Sequence, residues 1–239
     1  MGRRVWAIAD THLGAAVGKT MDRFGDAWRG HREKIAGNCA RVVGPDDILL
    51  LPGDLSWAMK RDEALPDLAF LASLPGTKVV IKGNHDYWWP SSKRLEYPGL
   101  TSPPVLFAPS FTHLIVNPGT SPAHLGIAGT RGWFVPAPGS PDEAADRKIL
   151  ERERLRLRRS LASIAECRVK IVMTHYPPHP YLDELRAAGV AAVAYGHLHL
   201  GSPPEVERQA HDGEAVQGVP LFCVACDRIG FAPRLLGEF

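Results

Sequence analysis

Ile48-Leu49-Leu50-Leu51-Pro52-Gly53-Asp54 joins an unbroken apolar run of strand length to a glycine and a carboxylate. A run without polar alternation fits a sheet covered on both faces. The same arrangement returns at Lys78-Val79-Val80-Ile81, which leads into Gly83-Asn84-His85-Asp86. Between the two, Ala64, Leu68, Leu71 and Ala72 recur at helical spacing, so a helix is expected over about 61–73. Upstream, Val5-Trp6-Ala7-Ile8-Ala9 predicts a first strand ending at Asp10-Thr11-His12. Trp28, Ile35, Cys39 and Val42 place a helix over about 26–43. Strand, helix, strand, helix, strand points to an α/β fold with parallel βαβ units.

Downstream the pattern loosens. Residues about 89–125 are rich in Pro, Gly and Ser, with strands expected at Val105–Phe107 and His113–Val116. Leu125–Ala128 predicts another strand, leading into Gly129-Thr130-Arg131-Gly132-Trp133. Ser140-Pro141-Asp142-Glu143 carries a capping-box Ser and Glu with Pro at the first helical position. The helix it starts should run to about Ala165, with Leu150, Leu157, Leu161 and Ile164 inward. Its mixed-sign run Glu151–Arg159 reads as a solvated outer face, with a nucleic-acid role for the arginines as the alternative. Val169–Met173 predicts a strand ending at Thr174-His175, and Val190–Tyr195 one ending at Gly196-His197-Leu198-His199. Leu221–Ala225 and Pro233–Leu236 predict strands of an edge or second sheet. With no repeat and no linker, residues 1–239 read as one domain.

Composition narrows the class. A chain 45% hydrophobic and 23% charged, with formal charge +2, is ordinary for a soluble protein. That balance indicates neither nucleic acid nor an anionic membrane as partner. Four cysteines do not make a secreted disulfide scaffold. Cys223-Val-Ala-Cys226 lies in a strand-like run and lacks a second CxxC, so inert buried thiols are expected. Arg3-Arg4 is followed by no long apolar region, and Trp6 occupies the position where a myristoylation signal needs Ser or Thr. No apolar stretch approaches a membrane span. A cytoplasmic location is expected.

The strand ends carry the chemistry. In open α/β sheets, ligands bind outside the carboxyl ends of the strands. There this sequence places Asp10, His12, Asp54, Asn84, His175, His197 and His199. In extended segments Asp10 and His12 would project to one side, as would His197 and His199, so each pair could grip a metal. Glycines 53, 83 and 196 permit tight turns and close backbone approach. A mixed oxygen and nitrogen set suits first-row ions such as manganese, iron or zinc rather than calcium or magnesium; manganese is the ion expected. Seven ligands are too many for one ion. If one carboxylate bridges two, they divide four and four. Two divalent ions against two carboxylates leave positive charge for an anionic phosphoryl group, and such a pair can activate hydroxide for in-line attack. His85 is then free of coordination and could protonate the leaving oxygen. Asp86 either orients His85 or caps the following turn.

The ordered set DxH, GD, GNHD, H and GHxH, running from Asp10 to His199, resembles the signature of the calcineurin-like metallophosphoesterases. The resemblance implies a four-layered αββα sandwich of two mixed β-sheets flanked by helices. It implies that Asp10, His12, Asp54 and His199 hold one metal, and that Asp54 bridges to a second held also by Asn84, His175 and His197. Asn84 and His85 would position the phosphate. Compact bacterial members of this superfamily are often phosphodiesterases, so a phosphodiester is the expected substrate, small molecule or nucleotide. Phosphomonoesterase or protein phosphatase activity is the enzymatic alternative, and a non-catalytic metal- or phosphate-binding module the alternative of another class.

Some features stay open at this level. Gly14–Thr20 imitates a P-loop but is one residue short and reads as a loop beside the metal site. Trp57, Trp88, Trp89 and Trp133 either stack a base or aromatic alcohol or fill core and rim. Arg131 either holds a substrate phosphate or makes a structural ion pair. His179 reads as a rim residue.

Overall fold

In the computed structural model, residues 3–89, 105–107, 112–116 and 125–239 are described. The chain runs β1 Arg4–Ala7, α1 His31–Val42, β2 Ile48–Leu51, α2 Arg61–Ser73 and β3 Thr77–Val80. It continues with β4 Val105–Phe107, β5 Thr112–Val116, β6 Leu125–Thr130, α3 Glu143–Ser163 and β7 Val169–Thr174. The last elements are α4 Leu182–Ala187, β8 Ala192–Tyr195, α5 Pro204–Glu207, β9 Asp212–Val216, β10 Val219–Cys223 and β11 Arg234–Glu238.

The strands form two sheets, ordered β11-β1-β2-β3-β4 and β5-β6-β7-β8-β10-β9. β1 to β4 are parallel, and β11 closes one edge antiparallel to β1. In the second sheet β6, β7, β8 and β10 are parallel, with β5 and β9 antiparallel at the edges. Both sheets are mixed, as expected.

The apolar runs are continuous because each sheet is covered twice. Val5, Ala7, Ile48, Leu50 and Val79 face Ile127, Ile171, Met173 and Ala192 of the other sheet. Their neighbours Leu49, Leu51 and Val80 point the opposite way, onto Ile35 and Cys39 of α1 and Leu68 and Leu71 of α2. On the far side Ala128, Val172, Val193 and Leu221 pack against Leu150, Leu157 and Leu161 of α3 and Leu185 of α4. The period-2 alternation within each strand thus builds the αββα layering.

Several local expectations change. The helix expected over about 26–43 starts at His31, because Gly30 takes the left-handed conformation (φ 63°) and Asp26–Trp28 forms a separate 3-10 turn. Trp28 is still buried. The capping box at Ser140 does not form: α3 opens at Glu143, whose carboxylate accepts the Gly139 N–H at 2.6 Å. The run Glu151–Arg159 is not wholly an outer face either. Glu153 is fully buried, accepts the Thr130 hydroxyl at 2.5 Å and pairs with Arg156 at 2.6 Å. Strand β9 and the short helices α4 and α5 lie outside the elements expected from the sequence. All four cysteines are buried and free. Among the described residues no helix is long and apolar enough to cross a membrane.

Candidate metal centre

The two sheets meet where β1 and β10 end. Ala9 N–H donates to Val224 O at 2.7 Å and Cys226 N–H to Ala9 O at 3.0 Å. This contact carries Asp10 of one sheet and Asp227 beyond the other into one place. The ends of β2, β3, β7 and β8 add Asp54, Asn84, His175, His197 and His199.

Two groups of ligand atoms converge: Asp10 with His12 and His199, and Asp10 with Asp54 and His175. His12 Nε2 lies 3.3 Å from His199 Nε2, and His199 Nε2 lies 3.9 Å from Asp10 Oδ1. Asn84 Oδ1 faces His175 Nε2 at 2.6 Å and His197 Nδ1 at 3.0 Å. All seven expected ligands therefore surround one centre. The pairing differs from the extended-strand expectation, however. Asp10 (φ 57°), His12 (42°), Asp54 (52°) and His197 (71°) all adopt the left-handed conformation. Asp10 and His12 still share a side, but His197 turns to Asn84 and His175 while His199 turns to His12. A left-handed backbone costs a non-glycine residue of order 1 kcal/mol and clusters at functional sites.

Glycines make room for the carboxylates. A Cβ at Gly83 would lie 2.1 Å from Asp54 Oδ1, and one at Gly196 would lie 2.2 Å from Asp10 Oδ2. His197 N–H donates to both Asp10 oxygens at 3.1 and 3.0 Å, and His85 N–H donates to Asp54 Oδ1 at 2.8 Å.

The electrostatics fit a cation. Burial drives the Asp10 carboxyl well above its ordinary range, against the pull of His199, and raises Asp54 to about 6. Burial also pushes His175 and His197 down to about 3 and lowers His12 strongly. Neutral imidazoles with lone pairs beside crowded carboxylates are a donor set for divalent first-row ions. His12 Nδ1 is buried without a protein partner, and its Nε2 faces another imidazole nitrogen. These observations fit a metal held among these residues.

Of the two roles expected of Asp86, the orientation of His85 is not seen: its carboxylate bonds to backbone instead. Its Oδ1 accepts the N–H groups of Leu55 (2.8 Å) and Ser56 (3.2 Å), and its Oδ2 that of Gly83 (2.8 Å). Both oxygens are spent on backbone, so Asp86 ties the loop after β2 to the loop after β3. Burial and the nearby Asp54 charge raise it to about 7. His85 itself stands outside both ligand groups, with its ring 4.6 Å from Trp57.

One group escapes the sequence reading. Asp227 Oδ1 lies 3.1 Å from His199 Nδ1, and its Oδ2 accepts the Leu200 N–H at 3.0 Å. Asp227 follows an apolar run, the same signal that marks the candidate ligands. Trp57 stacks on His12 with ring centroids 4.7 Å apart. Trp88 and Trp89 are core residues. Arg131 lies over the Trp133 ring at 4.7 Å, and its Nε is buried without a hydrogen-bond partner. His179 is half-buried, its Nε2 3.1 Å from His211 Nε2.

Layering and site together define an αββα protein with a candidate metal centre at the ends of both sheets. The calcineurin-like phosphoesterase family profile matches residues 3–201, and the chain belongs to that family. No curated protein matches the chain. Among solved structures, the phosphopantetheinyl hydrolase of Mycobacterium tuberculosis shares the fold at TM-score 0.53 and 14% identity, covering 98% of this chain and 95% of that one. A protein of unknown function from Aquifex aeolicus matches at TM-score 0.49 and 12% identity, with the same coverage.

Proposed function

We propose that this chain hydrolyses phosphodiesters at a binuclear metal centre bridged by Asp54. The observation that carries this reading is the disposition of the Asp54 carboxylate. One oxygen faces His12 Nε2 at 3.8 Å and the other faces His175 Nε2 at 3.5 Å, so one carboxylate looks toward two donor groups. One ion would take Asp10, His12, Asp54 and His199, and the other Asp54, Asn84, His175 and His197. Two divalent ions, with manganese preferred over iron or zinc, would supply charge neutralisation and activate water.

The side chains supply the rest. His85, outside both donor sets and fixed through its backbone bond to Asp54, gives its proton to the leaving alcohol. Asn84 turns its oxygen toward the imidazoles, so its amide nitrogen is the donor for a phosphate oxygen. Asp86 holds the two loops in register. Charge suits an anionic phosphoryl group: two divalent ions against Asp10, Asp54 and one activated hydroxide would leave about one net positive charge.

The test is hydrolysis of bis(p-nitrophenyl) phosphate and p-nitrophenyl phosphate by metal-loaded protein, with metal content measured alongside. Two ions per chain and faster cleavage of the diester are expected, with both ions and activity lost in Asp54→Ala. Turnover of neither ester overturns the enzymatic reading, and faster cleavage of the monoester overturns the diester assignment.

A further inference from the structure

A cavity of about 270 Å³ opens beside the first donor set. His12, His85 and His199 form the wall it shares with the candidate centre. Its remaining walls are Met21, Phe24, Trp28, Trp57 and Leu200, together with Asp227. Phe24 and Leu200 are 61% and 60% exposed, so apolar surface lies open to water next to the site.

Among the described residues the lining contains no Asn, Gln, Ser, Thr or Arg. Trp57 Nε1 is already donated to Met21 Sδ at 3.1 Å. The Asp227 oxygens are taken by His199 and the Leu200 backbone. A nucleobase is read by hydrogen bonds along its edge, and these walls offer little to read one with. They offer contact area instead. A dry cavity of about 150 Å³ takes a benzene, so this one takes an alkyl chain of roughly six to eight carbons.

We infer that this cavity binds the leaving alcohol of the substrate, and that the alcohol is an apolar alkyl chain rather than a nucleoside. The inference rests on the phosphodiesterase reading and adds its substrate class. His85 in the cavity wall places the chain on the leaving side. In the reaction water is consumed and its oxygen bonds to phosphorus as the P–O bond to the alkyl alcohol breaks. His85 supplies the alcohol's proton and is reprotonated from solvent, while the water's protons pass to solvent and the monoester product.

Methyl ethyl, methyl butyl and methyl hexyl phosphate, with thymidine 5′-methyl phosphate, test the assignment on the full metal-loaded chain. The alkyl alcohols differ little in acidity, so the series varies burial. kcat/KM should rise about threefold per methylene, on the order of 100-fold from ethyl to hexyl, and hexanol rather than methanol should be released. Phe24→Ala, at an exposed position of the cavity wall, should lower the hexyl rate about fivefold and the ethyl rate by less. A flat series, release of methanol, preference for the thymidine ester, or no alkyl turnover while bis(p-nitrophenyl) phosphate is cleaved overturns the inference and spares the phosphodiesterase reading. Should bis(p-nitrophenyl) phosphate itself survive, that reading fails, and binding of ethyl- and hexylphosphonate still decides the cavity. Tryptophan fluorescence should then report tighter binding of the hexyl compound, weakened in Phe24→Ala; equal binding of the two overturns the assignment.

Discussion

His199 Nδ1 donates to Asp227 Oδ1 at 3.1 Å, which turns His199 Nε2 toward His12 and Asp10. Burial works against charge on both partners. The hydrogen bond prevails, holding His199 above the usual histidine range and Asp227 below the usual carboxylate range. An outer carboxylate that fixes a ligating imidazole typically contributes 10–100-fold to metal affinity. Asp227→Ala is therefore expected to weaken binding of one ion by about that factor. Titration with Mn²⁺ followed by metal analysis checks it, and unchanged affinity would show that the ring is held by other contacts.

Gly83→Ala should damage the centre although it replaces none of the candidate ligands. The added Cβ would meet Asp54 Oδ1 at 2.1 Å and Asp54 N at 2.3 Å, and the latter is backbone that cannot swing aside. Displacing a catalytic group by about 1 Å costs on the order of 100-fold in rate. A loss of that size, with metal content falling and far-ultraviolet circular dichroism preserved, is the expected result.

The extent to which sequence reveals this site follows from how each part is built. Ile48–Leu51 and the other strands are buried on both faces, so their apolar runs and the polar residues ending them stand out in one dimension. The left-handed turns at Asp10, His12 and His197 leave no such mark, since nothing in those residue types requires φ > 0. For the same reason an extended backbone would put His197 and His199 on one side, whereas His197 faces Asn84 and His199 faces His12. Glu153 was hidden by the arginines around it, which from sequence resemble any solvated helix face. The apolar wall was illegible because Phe24, Trp28, Trp57 and Leu200 come from separate segments and share no period.

Asp86 should matter to stability more than to proton transfer. Removing its carboxylate orphans three buried backbone N–H groups, each costing about 1–3 kcal/mol when left unpaired. Asp86→Ala is expected to lose about 3 kcal/mol or more in denaturant unfolding, and Asp86→Asn less, because one acceptor oxygen survives. In Asp86→Asn the dependence of rate on leaving-group acidity should match that of the wild type. A steeper dependence would restore the direct link to His85 that the geometry lacks.

Lys78 gives the pH dependence of stability away from the metal centre. Its ammonium group is fully buried and donates to Leu74 O and, at 2.8 Å, to Gly76 O. Burial pushes it down to about 8, against a weak opposing pull from Cys39. The unfolded chain keeps this proton up to pH about 10.4, so between there and pH 8 the unfolded state binds more protons. Stability from this group therefore rises with pH across that window, by about 1 kcal/mol per pH unit. Lys78→Gln removes the titration, so unfolding at pH 7.5, 9 and 10 should show the wild type gaining on the variant. Parallel curves would mean that the amine titrates alike in both states.

His85 is the residue on which the catalytic assignment turns. Its ring packs on Trp57 and lies 5.7 Å from the His12 ring, yet it joins neither group of converging ligand atoms. A proton donor matters in proportion to how poorly the alcohol leaves, and general acids typically contribute 10²–10⁴-fold. His85→Gln should therefore retain both ions, cleave bis(p-nitrophenyl) phosphate within about tenfold of wild type, and lose about 100-fold or more on an alkyl diester. Metal content and the two rates, measured on one preparation, separate the roles. If the variant loses an ion, His85 is a ligand. If both esters slow equally, its contribution is to hold phosphate rather than to deliver a proton.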